Sequence, residues 1–299
     1  MIDVSLTPNV RSGRSNSDNV YLRMIRFHEY GPYYVLSALA CSFVAKFPVD
    51  VNILPVLIFV ATSSIFGFVI NDIADAELDR KAGKLRNPVA SGDLPQFTAW
   101  KLALIFLGVA ILSLYSLDLP GKLLGIIVIT LFGGYSFGLR AKVRPGVDLL
   151  CHASWNAIYG AMAYTVYRPF GYVGLVLCGL LFLSSMLMEL LNEIRDHDSE
   201  IDMIRTTATV VGKRGAMKIC IIILLLILSL FVSLVIMGGL PWVLLIFSPS
   251  IIFLVRPIVS ALKSGQGEQY LLSTFVLRGA ITVILILVAY LAIKVLGFW

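Results

Sequence analysis

Directly after the apolar run ILPVLIFVATSSIFGFVI, the stretch NDIADAELDR (71–80) carries four carboxylates and an amide side chain. On a helix, residues four apart drift by only about 40°, so Asn71, Asp75 and Asp79 share one stripe, with Asp72 within about 100° of all three. Glu77 points elsewhere. Carboxylates crowded onto one stripe repel unless a cation sits between them, and an all-oxygen set selects Mg²⁺ or Ca²⁺ over zinc or copper. Mg²⁺ prefers one or two carboxylates and completes its shell with waters and substrate phosphate oxygens. The chemistry to expect is therefore metal-assisted handling of a phosphate or diphosphate.

A second acidic stretch, NEIRDHDSEID (192–202), opens as the first does, with N-E-I-R-D matching N-D-I-A-D. It admits two registers. Asn192, Asp196 and Glu200 repeat the spacing of the first motif, whereas Asp198 and Asp202 form a literal D-x-x-x-D on roughly the opposite helical face. Candidate catalytic carboxylates are thus Asp72, Asp75, Asp79, Asp196 and Asp198. Candidate metal ligands are Asn71, Asp75, Asp79, Asn192, Asp196, Asp198, Glu200 and Asp202. A multiply charged anion beside metal needs further cations. Lys84 and Arg86 follow the first motif, Arg140, Lys142 and Arg144 sit in YSFGLRAKVRPG, and Arg23 and Arg26 precede the first apolar helix. Arg26 and Lys142 are the favoured phosphate contacts. The plainer readings are a solvated acidic loop with weak surface ion pairs, and basic anchors on one membrane face.

The elements that must carry these groups are membrane helices. The chain is 58% hydrophobic and 14% charged, with a mean hydropathy of +0.89, more apolar surface than one soluble core of this length needs. Apolar runs near 30–47, 52–70, 98–115, 120–137, 147–166, 171–191, 219–237, 240–255 and 270–298 are each near the ~20 residues that cross the hydrocarbon. The expectation is an all-α, multi-pass bundle of about nine helices. With the N-terminus cytoplasmic and the crossings alternating, all but Lys46, Lys122, Arg168 and Lys294 of the 24 Lys and Arg fall on the cytoplasmic side. The net charge of +6 then reflects topology and anionic headgroups, not nucleic acid. Residues 1–26 are polar and lack the apolar core of a cleavable signal peptide. Cys41, Cys151, Cys178 and Cys220 show no metal spacing and read as small apolar residues. No linker divides the chain, so residues 1–299 read as one domain. The matched motifs suggest an internal pseudo-repeat, 52–140 against 171–260. Both acidic stretches open cytoplasmic loops of about 25 residues, 72–97 and 193–217, while the outer loops are short. A cation-coupled transporter with carboxylate ion sites is the competing class. Against it, the acidic groups lie at the membrane edge and not at its midplane.

N-D-x-x-D-x-x-x-D followed by R-N-P-x-x-S-G (86–92), Y-S-x-x-L-R-x-K (135–142), and a second acidic motif leading into R-T-T-A-T-V-V-G (205–212) resemble the UbiA superfamily of intramembrane prenyltransferases. The resemblance covers most of the chain. It implies nine helices around a central cavity, two Mg²⁺ ions, an isoprenyl diphosphate donor such as geranylgeranyl diphosphate, and transfer of the prenyl group to a lipophilic acceptor drawn from the membrane lipid phase. Aromatic quinone precursors and glycerol-phosphate ether lipids are the acceptors it suggests. Asn71, Asp75 and Asp79 would bind metal with Asp72 adjacent, and Asp196 to Asp202 would supply the second motif. That second motif departs from the usual pattern of two Asp four apart with a longer spacer before the Thr. On this reading Tyr135, Trp155 and Tyr159 would face an allylic carbocation, with Tyr135 also near the diphosphate. His152 and Asn156, one turn apart, would contact the acceptor or act as base, or else form a hydrogen-bonded pair inside the bundle.

Overall fold

Hydrocarbon offers no water to backbone amides, so a chain this apolar must satisfy them internally, and the α-helix does so within each segment. The computed structural model describes residues 19–83, 86–138, 140–265 and 270–297. Its α-helices are α1 (Val20–Ile25), α2 (Phe27–Ala45), α3 (Leu54–Lys81), α4 (Pro88–Ser91), α5 (Gln96–Leu114), α6 (Leu119–Ser136), α7 (Val147–Thr165), α8 (Tyr172–Glu200), α9 (Thr207–Ile236), α10 (Ser250–Ser264) and α11 (Leu271–Val295). No strand occurs among the described residues. Seven of the helical segments are long and apolar enough to cross a membrane. Neither α2, whose apolar stretch is Gly31–Ala45, nor α7 is among the seven. Asp148, His152 and Asn156 recur every four residues along α7 and lower its hydropathy. The outward faces of α5 and α6 expose Leu104, Ile111, Leu123 and Ile126. A soluble surface does not present apolar bands of this kind, and the protein is an integral membrane protein.

The acidic stretches do not open loops at 72 and 193. α3 continues through its motif to Lys81, and α8 continues to Glu200. The apolar run ends at residue 70 because the helix leaves the hydrocarbon there, but Ala, Glu, Leu and Arg are good helix formers and nothing interrupts the hydrogen-bond ladder. α3 stops at Gly83, where φ is +69°, a left-handed conformation that favours glycine. The run at 240–255 is likewise not one α-helix. A 3₁₀ segment, Trp242–Phe247, lies between Pro241 and Pro249 before α10 begins. The run at 219–237 belongs to a longer helix, α9, bent at Gly212 (φ +73°).

Two apolar clusters hold the bundle. One joins α2, α3, α5, α6 and α7 around Tyr34, Phe59 and Tyr159; the other joins the second half of α8 to α9, α10 and α11 around Leu187, Leu190, Met217 and Leu224. α7 packs on α2, α3, α6 and α8. α3, α6, α7 and α8 meet around a cavity at the seam of the two clusters.

Candidate functional site

The cavity, about 190 Å³, is walled on one side by the C-terminal turns of α3 and α8. Asn71, Asp72, Asp75 and Asp79 of α3 all line it. Glu77 lies off that stripe, exposed and paired with Lys81 at 2.7 Å. Asp72 is only 3% exposed, and its Oδ1 accepts from the Arg26 guanidinium at 2.9 Å. Arg26 is delivered by the α1–α2 junction, where its own backbone is left-handed at φ 49°. Asp75 is ion-paired with Lys142, which follows α6 in a single 3₁₀ turn. Burial by itself lowers the Lys142 pKa, but Asp75 and the further charges of Glu200 and Asp79 outweigh it and hold the ammonium above its ordinary value.

Asp79 accepts from Asn87 Nδ2 at 2.9 Å, and the same amide donates to the Asp72 carbonyl at 2.7 Å. Asn87 Oδ1 in turn caps α4 by accepting from the Val89 and Ala90 amides. The R-N-P segment is thus folded back onto the acidic stripe, and Arg80 fixes it further through the Ala90 carbonyl at 3.2 Å.

On α8 the cavity face carries Glu189, Asn192, Glu193, Asp196 and Glu200. Asp196 is held by its neighbour Arg195 at 2.8 Å. Asp198 and Asp202 are not on this wall. Asp198 has an 80% exposed side chain, 2.8 Å from Lys213 of α9; Asp202 is exposed beyond the end of α8. The reason is rotation: two residues turn a helix by about 200°. Arg86 lines the cavity, whereas Arg140 and Arg144 are exposed and do not. Lys84 lies outside the described residues.

One turn back along α3 and α8 the wall becomes apolar, with Gly67, Phe68, Phe132, Trp155 and Met188. Gly67 has to lack a side chain, since a Cβ there would meet the Phe132 ring at 2.5 Å. Phe132 packs 4.7 Å from Trp155, Tyr135 meets Trp155 edge-on at 5.5 Å, and His152 does so at 4.5 Å. Tyr135, His152 and Trp155 all line the cavity; Asn156 and Tyr159 do not. Asn156 is fully buried and donates to Tyr33 Oη at 3.1 Å, and Tyr159 Oη shares a 2.7 Å hydrogen bond with Ser63 Oγ. Tyr159 is a satisfied core residue, whereas Asn156 keeps its Oδ1 buried without a partner outside the cavity lining.

Sequence reading missed Glu189, Glu193 and Asn87, which also line the cavity. Glu189 and Glu193 lie seven and three residues before Asp196, positions that return to the same helical face, and that phase was the available signal.

The donor set suits a hard cation. Asn71 Oδ1, Asp72 Oδ2, Asn192 Oδ1 and Glu193 Oε1 are buried oxygens without a hydrogen-bond partner. A buried acceptor left in this way costs free energy until something electropositive reaches it. Among the described residues no three acidic, His or Cys side chains converge tightly enough to form a metal site alone. That fits an ion that completes its shell with water and phosphate oxygens. Seven carboxyl groups line the cavity against the basic groups of Arg26, Arg86, Lys142 and Arg195. With that excess of acid, a polyanion is repelled unless divalent cations enter with it.

The sequence matches the family model for the UbiA prenyltransferase family over residues 34–272. Among curated proteins none matches the chain by sequence. Among solved structures, a UbiA homolog from Archaeoglobus fulgidus bound to GPP and Mg²⁺ is 16% identical, covers 90% of this chain and 99% of its own, and superposes with a TM-score of 0.71. The structure of a digeranylgeranylglyceryl phosphate synthase in membranes is 17% identical over 91% of this chain and 96% of its own, with a TM-score of 0.69. The apo UbiA homolog from Aeropyrum pernix K1 is 15% identical over 93% and 99%, with a TM-score of 0.70. At such identities the likeness is one of fold.

Proposed function

This chain belongs to the UbiA prenyltransferase family, and on that premise we propose that it transfers an isoprenyl group from an allylic diphosphate, such as geranylgeranyl diphosphate, to a lipophilic acceptor with release of diphosphate. The observation that carries the reading is the cavity's division. An oxygen-rich, net-acidic wall with partnerless Asn71 and Asn192 oxygens stands one helical turn from a pocket of Phe68, Phe132 and Trp155. The diphosphate belongs at the first and the prenyl group at the second. Membership in a prenyltransferase family sets the transporter reading aside.

Two Mg²⁺ ions are the proposed cofactors, held by Asn71, Asp75 and Asp79 on α3 and by Asn192, Asp196 and Glu200 on α8. When bound they neutralise diphosphate charge and make it a leaving group. Arg26 and Lys142, now engaged with Asp72 and Asp75, supply fixed positive charge for the diphosphate oxygens. Arg86 is the third cation placed for that role. The aromatic faces of Phe68, Phe132 and Trp155 exclude water and stabilise positive charge at the allylic carbon. The similar homolog from Archaeoglobus fulgidus is bound to GPP or DMAPP with Mg²⁺ in two structures, and another similar structure is that of a digeranylgeranylglyceryl phosphate synthase. For this chain the acceptor is an aromatic quinone precursor or a glycerol-phosphate ether lipid. Counting α2 and α7, nine helices cross the membrane as one domain, with the cavity opening to the cytoplasm.

The test is transfer from radiolabelled geranylgeranyl diphosphate by purified protein in detergent, with a panel of both acceptor types. Product and diphosphate release should need Mg²⁺, stop with EDTA and be abolished by Asp75→Ala. A folded sample that gives neither, with or without metal, overturns the reading.

A further inference from the structure

One carboxylate in the cavity is not needed for diphosphate chemistry. Glu189 lies on the cavity face of α8, three residues before Asn192, beside the aromatic pocket. Two other helices reach it. Tyr135 of α6 donates from its hydroxyl to Oε1 at 3.0 Å, and His152 Nε2 of α7 stands 3.4 Å from Oε2. His152 Nδ1 is buried without a partner. Trp155 packs edge-on against both Tyr135 and His152 and fixes their rings. Glu189 is thus held from both sides where the prenyl carbon and an acceptor would meet.

We propose, resting on the prenyl-transfer reading, that Glu189 takes the acceptor's proton and that the attacking atom of the acceptor is a hydroxyl oxygen. The step balances. The allylic C–O bond breaks and its electron pair leaves with diphosphate; a lone pair of the acceptor oxygen forms the new C–O bond; the O–H proton passes to the Glu189 carboxylate, and the product is an ether. A hydroxyl oxygen is a poor nucleophile while its proton stays in place, and a carboxylate accepting that proton also aims the lone pair. A ring carbon loses its own proton only after its bond has formed; a phenolic acceptor uses such a base only through its ring hydroxyl, and the product, ether or ring-alkylated, separates the two cases. The Tyr135 hydrogen bond on Oε1 and the His152 ring beside Oε2 have a second effect: they crowd both carboxylate oxygens and lessen capture of the allylic carbon by Glu189 itself. Tyr135 and His152 are positioning residues.

The experiment uses the full chain with geranylgeranyl diphosphate and Mg²⁺, offered a monoalkylglycerol in one arm and 4-hydroxybenzoate in the other. Ether product, ring-alkylated product and metal-dependent donor binding are read separately. Wild type should form ether. Glu189→Gln should lower ether formation by about 10²–10⁴-fold while donor affinity stays within about threefold, and added formate should restore part of the rate to Glu189→Ala. Tyr135→Phe, which removes only the hydroxyl, should lower kcat with the donor KM unchanged. A Glu189→Gln variant that keeps the full rate overturns the proposal. So does one that loses donor binding and transfer together, which would assign Glu189 to the diphosphate site. Ring alkylation by wild type with no ether overturns the acceptor class. Wild type that binds no donor, releases no diphosphate and makes no product defeats the prenyl-transfer reading itself.

Discussion

Asp196 and Asp198 are two residues apart, and that half-turn separates a cavity wall from a surface contact with Lys213. The motif alone admits both registers, because N-x-x-x-D and D-x-x-x-D each occur within 192–202. What decides is the apolar stripe before it. Leu187, Leu190, Leu191 and Ile194 are all buried to within 1% and pack with α9 and α10. Stepping on by four and eight from Ile194 reaches Asp198 and Asp202, which continue that stripe past the end of the core. The opposite face is left for Glu189, Asn192, Glu193 and Asp196. On α3 no second register competed, and the stripe of Asn71, Asp75 and Asp79 was legible from spacing alone. A direct consequence concerns metal dependence. Asp196→Asn should raise the Mg²⁺ concentration for half-maximal transfer by at least the roughly 10–100-fold that losing an outer-shell partner costs, and Glu200→Gln should act in the same direction. Asp198→Asn and Asp202→Asn should leave it within about twofold, the range of surface ion pairs. A titration of Mg²⁺ against rate for the four variants checks this, and a loss confined to Asp198 and Asp202 would reverse the assignment.

At the scale of elements, hydropathy located the long helices but not their ends. It marks where a segment leaves the hydrocarbon, whereas a helix ends where its backbone ladder fails, at Gly83 for α3 and past Glu200 for α8. The difference places both acidic motifs on rigid helix and not in loops, which is what metal and phosphate positioning requires. Contacts between distant segments left no local trace in the sequence. The start of α9 is the case in point. Asp148, 1% exposed in the first turn of α7, accepts from the Thr207 amide at 2.8 Å, the Thr207 hydroxyl at 2.7 Å and the Leu149 amide at 2.7 Å. Glu193 accepts from the next amide, Ala208, at 2.8 Å. Together they anchor the segment that brings Thr206 to the cavity. Asp148→Ala leaves buried donors unsatisfied, each costing about 1–3 kcal/mol. Asp148→Asn should rescue only part, because its Nδ2 would face the Thr207 amide with a second donor. Thermal unfolding in detergent should show both variants below wild type, with Ala the lower; an unchanged midpoint for Asp148→Ala would remove the strut from the account.

For the whole molecule, contacts between loops and helix ends establish which termini meet. Arg26 with Asp72, Lys142 with Asp75 and Asp148 with Thr207 bring together the starts of α2, α7 and α9 and the end of α3. Tyr167 with Asp50 at 3.0 Å, and Tyr172 with Ser233 at 3.0 Å, join the opposite ends of the same helices. The chain therefore alternates between two faces, and the acidic motifs share one of them. Lys46, Lys122, Arg168 and Lys294 lie at helix ends on the other face, and the other Lys and Arg among the described residues accompany the motifs. Positive charge is retained on the cytoplasmic side during insertion, so the motif face should be cytoplasmic. This is measurable with an impermeant maleimide on variants whose four native cysteines are replaced. Ser199→Cys, exposed at the end of α8, should react only after cells are permeabilised, while Ser116→Cys, exposed between α5 and α6, should react in intact cells. The reverse pattern would put the diphosphate site outside, away from donors made in the cytoplasm. Labelling of both from one side would contradict the alternation that brings α3 and α8 to face each other across the cavity.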